Sequence, residues 1–287
     1  MQTQRVAFLF ILPAALVVLT LVSYPLGYAF WLSLTNETVG SASQFIGFEN
    51  YVNIFLDATF RRSIVNTLVF SCVGLIFKLV LGLIMALALN RIERGRSLIS
   101  GVLLLPWIIP TVISTLVWKW MFDSETGVMN YVLLNIHLMK EPIAWLGTGT
   151  LAMTSLITVA VWREIPYFGI SLLAGLKGIE REQYEVAAIE GASTVQTFRF
   201  VTLPNLRNMM LLVSVLSAVQ SAYDFAIIWI LTGGGPVNAT DTFSTLSFEK
   251  AILDGNIARA IAIALAAFPI IAPVIILTAR HIELQEA

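Results

Sequence analysis

The chain has 287 residues, 57% of them hydrophobic and 12% charged, with a formal net charge of -1 and a mean hydropathy of +0.84. That balance describes a polytopic all-α membrane protein rather than the two soluble domains its length would otherwise suggest, and it offers no basic footprint for nucleic acid. The single cysteine, Cys72, lies in an apolar run, and His137 and His281 have no ligand-like neighbours, so disulfide frameworks and metal centres are poor readings.

Six runs are long enough to cross about 30 Å of hydrocarbon at roughly 1.5 Å per residue: 6–34, 63–89, 98–122, 150–174, 208–231 and 257–279. The first is read as a span and not a cleaved leader, because it outruns a leader's apolar core, contains Pro13 and Pro25 and lacks a clear small-x-small site. Its excess length predicts tilt or a break near Ser23-Tyr24-Pro25. In the third run Pro106 and Pro110 loosen the backbone ladder, which lipid tolerates only where protein or water satisfies the freed groups. The fourth holds Arg163-Glu164 followed by Pro166, where a local break is expected.

Between the fourth and fifth runs lies a polar loop, 175–207. Its pattern predicts a helix over 179–190, closed by Gly191 as a left-handed C-cap. Ser193 with Gln196 has the capping-box spacing for a second helix, which Pro204 is expected to end. Ala187, Ala188, Gly191 and Ala192 leave this elbow with little side-chain bulk, suited to docking in another protein's cleft. After the fifth run, Leu231-Thr232-Gly233-Gly234-Gly235-Pro236 reads as a tight outer turn.

Lysine and arginine set the orientation. Nine of them (Arg5, Arg91, Arg94, Arg96, Lys177, Arg181, Arg199, Arg207, Arg280) fall on one side and six (Arg61, Arg62, Lys119, Lys140, Lys250, Arg259) on the other. The first side, with both termini and the elbow, is therefore expected to be cytoplasmic.

Polar residues inside the spans are functional candidates, because burying them in lipid is costly. Ser214, Ser217, Ser221 and Asp224 recur at helical spacing on one face of the fifth span, flanked by Gln220 and Tyr223. Such a face lines a water-filled cavity or lets helices pack closely, and both readings stand. Lys78 lies mid-span, about 18 Å from Asn90 by the helical rise, too deep to reach water easily, so it is expected to pair with Asp224 or Glu164. Trp162, Trp118 and Tyr223 suit either stacking on a ligand's ring or anchoring at the membrane interface.

The loop segment Glu185-Val186-Ala187, then Gly191, then Val201-Thr202-Leu203-Pro204 resembles the EAA loop of ABC-importer permeases, with Val186 and Val201 as mild departures from that family's alanine and isoleucine. Gly47, Asn50 and Tyr51, then Asn66-Thr67, Gly82 to Leu87, Gly127 with Asn130, and the Leu231 to Pro236 segment are similar, in order, to stretches of the sugar-importer branch. The resemblance implies a single permease domain over 1–287 with six transmembrane helices in the type I ABC importer fold. It implies ATPase coupling through Glu185, Val186, Ala187, Glu190, Gly191, Ala192, Leu203 and Pro204. A substrate pathway near Ser217, Gln220, Ser221, Tyr223, Asp224, Lys78 and Trp162 joins the polar-face reading to the family's use of this helix. The implied partners are a second permease, two copies of a P-loop ATPase, an external solute-binding protein and a sugar, at the bacterial inner membrane. The chain has no Gly-x-x-x-x-Gly-Lys-Ser/Thr segment, so ATP and magnesium would be held by the partner ATPase and no cofactor by this chain. The alternative is a stand-alone ion-coupled carrier or channel using Lys78, Asp224 and Glu164. No internal repeat stands out to favour an inverted-repeat carrier, and no nucleophile and base share a span as an enzyme would need.

Overall fold

Prolines decide where the apolar runs stay continuous and where they break. The computed structural model describes residues 10, 12–41, 43–269 and 272. Among them, four helices are long and apolar enough to cross a membrane: α1 (Leu12–Ser33), α3 (Ala58–Asn90), α8 (Gly149–Lys177) and α10 (Thr194–Ala222). Between and around them lie α2 (Glu49–Leu56), α4 (Arg96–Leu103), α5 (Leu105–Ile108), α6 (Thr111–Met121), α7 (Val128–Asn135), α9 (Arg181–Ile189), α11 (Ala226–Leu231), α12 (Phe243–Phe248) and α13 (Ile257–Ala266). The third expected span is therefore not one helix. Pro106 opens α5 and Pro110 precedes α6, with Ile109 extended at φ -61° and ψ 132°, because a proline supplies no N–H and crowds the carbonyl four residues back. Of the sixth span the described part is α13 and the few residues after it; 273–279, like both termini, Arg5 and Arg280, lie outside the described residues.

Pro25 and Pro204 are handled differently, and in the same way as each other. Each follows a single wide turn: the Tyr24 N–H reaches the Leu19 carbonyl and the Leu203 N–H reaches the Phe198 carbonyl. This i→i−5 turn widens the helix before the proline ring, so the chain stays helical through it. The break expected near Pro25 is thus a π turn inside α1. Pro204 does not end the second elbow helix, which runs on into the fifth span as α10, and Pro166 does not produce the break expected in the fourth span, since α8 runs unbroken through it with Glu164 buried.

The chain divides into two units, one of residues up to Arg61 with Leu246–Pro269, the other centred on Arg62–Thr245. In the first, α13 packs on α1 and α2, with Ala258, Ala262 and Ala266 buried so that backbones approach closely. Asn50 of α2 donates to the carbonyls of Ser33 and Thr35 at 2.8 and 2.7 Å, satisfying acceptors that the end of α1 leaves open.

In the second unit, α3, α8 and α10 build the core. Ala86, Leu89, Leu172, Leu176 and Leu206 are buried together. A Cβ added to Gly82 would lie 2.4 Å from the Phe168 Cβ, and one on Gly169 2.6 Å from the Met85 sulfur. Only glycine permits that crossing. On the other side of the unit α6 packs against α11, and the Lys119 ammonium donates to the Ile230 carbonyl at 2.7 Å. Asn66 donates to the Asp241 carbonyl at 2.9 Å, and the Phe243 N–H donates to the Thr67 hydroxyl at 3.3 Å. The start of the second span is thereby tied to the loop that follows Pro236.

Replacing Gly82 with leucine is expected to lower the thermal midpoint in detergent by the cost of overpacking, about 1–3 kcal/mol. Leucine at Gly101, where a Cβ meets nothing within 4 Å, is expected to leave it unchanged. Equal midpoints for the two variants would show that the crossing yields.

Candidate functional site

Two places gather the residues that sequence pattern singles out. The first is the elbow. α9 ends in a Schellman motif: the Ala192 N–H donates to the Ala187 carbonyl at 2.9 Å and the Gly191 N–H to the Ala188 carbonyl at 3.1 Å, with Gly191 at φ +75°. Ser193 then accepts from the Gln196 N–H while the Gln196 side chain accepts from the Ser193 N–H, the reciprocal capping box expected there. Two caps back to back fix the turn angle without help from packing. Further contacts tie the elbow to α10: the Tyr184 and Thr202 hydroxyls lie 3.2 Å apart, and Asn205 donates to Gln183 at 2.8 Å.

What the turn presents is apolar. Ile189 is 86% exposed, Val195 74% and Phe200 69%, around a hollow of about 360 Å³ lined by Ala187, Glu190, Gly191, Ala192, Gln196 and Val201 among others. Glu185 is exposed and pairs with Arg181, one turn earlier, at 3.0 Å. Attention to small residues in the sequence missed Ile189 and Val195; the signal for them was a bare aliphatic residue on each side of the glycine turn. Leu203 and Pro204 stand apart from that hollow and line a separate apolar groove with Leu79 and Met210.

The second place is inside the membrane-spanning core. Lys78 of α3 is 1% exposed and Glu164 of α8 5%. The Lys78 ammonium lies 3.0 Å from the Glu164 Oε2, 3.2 Å from the Ser217 hydroxyl and 3.0 Å from the Ser221 hydroxyl. Ser217 in turn donates to Glu164 Oε2 at 2.8 Å. An ammonium has three donors, and all three have acceptors here. Of the two expected partners for Lys78, Glu164 is therefore the one it meets.

The serine stripe behaves as two classes. Ser217 and Ser221 are buried against the charge pair, whereas Ser214 bonds back to the Met210 carbonyl of its own helix. The stripe ends at Ser221, because α10 stops at Ala222 and Tyr223 leaves the helix at φ -110° and ψ 11°. Asp224 sits in that break. Its carboxylate accepts from the Ile227 N–H at 3.2 Å, in the first turn of α11, and its carbonyl accepts from Ser244. Among the described residues the buried Arg163 Nε has no hydrogen-bond partner. Gln220 and Tyr223 are exposed. Trp162 is edge-on to Trp118 at 5.5 Å and lines an apolar cavity of about 460 Å³ with Val73, Phe77 and Ile165 among others.

Residues 78–282 match the family described as "Binding-protein-dependent transport system inner membrane component". The trehalose/maltose transport system permease protein MalF of Thermococcus litoralis is 35% identical over 246 residues, 85% of this chain and 83% of that protein. The inner membrane ABC transporter permease protein YcjO of Escherichia coli is 30% identical over 282 residues, 97% and 94% of the two chains. Among solved structures, a bacterial ABC transporter involved in import of the acidic polysaccharide alginate superposes with a TM-score of 0.82 at 22% identity, covering 98% of this chain and 96% of that one. The shared fold is that of an ABC importer permease.

The buried pair yields a test that separates ion pairing from simple packing. Lys78→Met strands a buried carboxylate and is expected to destabilise the chain by about 3–5 kcal/mol, while Lys78→Met with Glu164→Leu is expected to recover most of that loss. Thermal unfolding in detergent reads both; a double variant no better than the sum of its parts would show that the charges are not coupled.

Proposed function

The chain belongs to the family of binding-protein-dependent transport system inner membrane components, and from that premise we propose that it is the permease subunit of an ABC importer for a sugar or sugar derivative. In this reading it spans the bacterial cytoplasmic membrane six times with both termini inside. It assembles with a second permease and two copies of a P-loop ATPase that hold ATP and magnesium, and receives its ligand from an external solute-binding protein. The observation that carries the reading is the elbow. A doubly capped turn presenting Ile189, Val195 and Phe200 to solvent has the shape and chemistry to seat in a cleft of another protein. Beside it Glu185 offers a carboxylate for a charge-assisted contact with a basic residue. The relative at 35% identity, named for trehalose and maltose, supports a carbohydrate ligand.

Alternating access follows from the connections. Closure of the ATPase dimer moves the elbow, and α10 carries the motion to the break at Tyr223 and Asp224. Because Ser217 and Ser221 already serve Lys78, Gln220, Tyr223 and Asp224, at the end of α10 and in the break after it, are the polar groups left to meet sugar hydroxyls. Lys78 holds the helices behind them. Trp162 contributes an aromatic wall. The carrier alternative draws no support from Lys78 and Glu164, whose charges neutralise each other.

Gly191→Asp is expected to leave the protein in the membrane and abolish uptake, since a side chain at φ +75° costs about 1–2 kcal/mol of backbone strain and adds charge to the docking surface. Gly191→Asn, which tolerates that conformation better and stays neutral, is expected to retain part of the uptake. Normal uptake by the aspartate variant would remove the elbow from the coupling path. Affinity purification of the tagged chain from its native host in mild detergent is expected to recover a second six-span protein and a P-loop ATPase, identified by mass spectrometry. A chain that purifies alone and transports in liposomes would establish the carrier reading instead.

A further inference from the structure

The short helix α2, between the first two spans, contains the Asn50 and Tyr51 of a motif that the transport reading leaves unused. It has three faces. Asn50 and Ile54 are buried against the unit that contains them, 8% and 0% exposed. Glu49 and Asn53 are exposed polar residues on a second flank. On the third, Phe48, just before the helix, with Val52, Phe55 and Leu56, forms an apolar stripe at i, i+4, i+7 and i+8, exposed by 64%, 58%, 50% and 71%. A water-soluble surface does not need that row, and a buried helix would not need the polar one.

The polar contacts around α2 fix its level relative to hydrocarbon. Arg61 donates to the carbonyls of Phe55 and Leu56 at 3.1 and 2.9 Å, closing the C-terminus of α2. Asp57, between α2 and α3, accepts from the Thr59 N–H at 2.7 Å and pairs with Arg259 at 2.6 Å, with both side chains partly exposed. Partly exposed charges of this kind stand in water or among headgroups. On the apolar side, a crevice of about 320 Å³ lies between α2 and the walls of two spans, lined by Phe30, Phe48, Phe55, Leu265 and Phe268 among others. Trp31, at the end of α1, stacks on Phe45 at 5.4 Å, and tryptophan at a span end marks the membrane interface.

We propose that α2 is an interfacial helix lying in the headgroup layer of the leaflet from which α3 begins, with Phe48, Val52 and Phe55 entering the acyl boundary and the crevice filled by an acyl chain. The leaflet is the outer one on the orientation given above; the proposal otherwise stands apart from the choice of ligand. A helix with an apolar face, a polar face and a short length sits in that layer with its apolar side about 5–10 Å into the boundary. Asn50 and Tyr51 hold it there: Asn50 bonds the end of α1, and the Tyr51 hydroxyl lies 2.8 Å from that of Ser33.

The chain has one cysteine, so Cys72→Ser gives a background in which single cysteines at 49, 52, 53 and 55 each carry a nitroxide. With the full chain in nanodiscs of phosphatidylethanolamine and phosphatidylglycerol, collision rates are read with oxygen, which concentrates in lipid, and with a neutral nickel chelate, which stays in water. The expected result is a several-fold higher oxygen-to-nickel ratio at positions 52 and 55 than at 49 and 53. Equal access of the nickel reagent to all four positions would place α2 in water and overturn the proposal. Shielding of 52 and 55 from both reagents would overturn it too, and would assign the stripe to a protein partner.

Discussion

The contact on which the core depends is the one between Lys78, Glu164 and two serines. A lysine in the middle of a membrane-spanning helix is tolerable only if every donor finds an acceptor away from lipid. Here the acceptors come from two other helices, so satisfying one charge fixes three helices in register. Glu164 and Ser217 could not serve Lys78 if α8 and α10 slid past each other by one turn. The cluster is thus a specification of alignment more than a source of stability, since a buried pair often gains little over apolar packing of the same shape. The close crossing at Gly82 and Gly169 supplies the complementary constraint. The glycines set the distance between α3 and α8, and the ion pair sets their stagger.

Much of this was legible from residue pattern because it is local. The Gly191 cap, the Ser193 capping box and the depth of Lys78 each follow from spacing along one helix, and the structure realises them. What pattern could not deliver was whether a proline would break the chain. Pro106 and Pro110 do, while Pro25 and Pro204 are absorbed by a wide turn placed just before them, and no residue type announces that turn. Asp224 likewise departs from the helical face that its spacing predicts, because α10 ends at Ala222 instead of continuing to Leu231. Long-range pairings were beyond the sequence as well. Asn66-Thr67 and Leu231 to Pro236 each carry a recognisable pattern, but only the fold shows that Asn66 bonds Asp241 just past the second.

The two candidate regions differ in how they are held. At the elbow, backbone capping fixes the shape and leaves Ile189, Val195 and Phe200 exposed. In the core, side chains supply the hold and leave little exposed, apart from the stretch near Gln220 and Tyr223. A surface meant to be gripped by another protein must keep its form before the partner arrives, which capping achieves at low cost in contacts. In the fifth span the helix is interrupted from Tyr223 to Phe225, between α10 and α11.

The continuity of α10 through Pro204 has a mechanical meaning. From Thr194 to Ala222 the helix is a shaft of about 42 Å at 1.5 Å per residue, with the elbow at one end and the polar break at the other. A flexible hinge at Pro204 would absorb a push on the elbow within a few residues. A shaft converts it to leverage: tilting by about 10° about one end displaces the other by about 7 Å, more than the 5.4 Å of one helical turn. The wide turn at Phe198–Thr202 then acts as a keyed joint that lets a proline sit at the handle without turning the handle into a hinge.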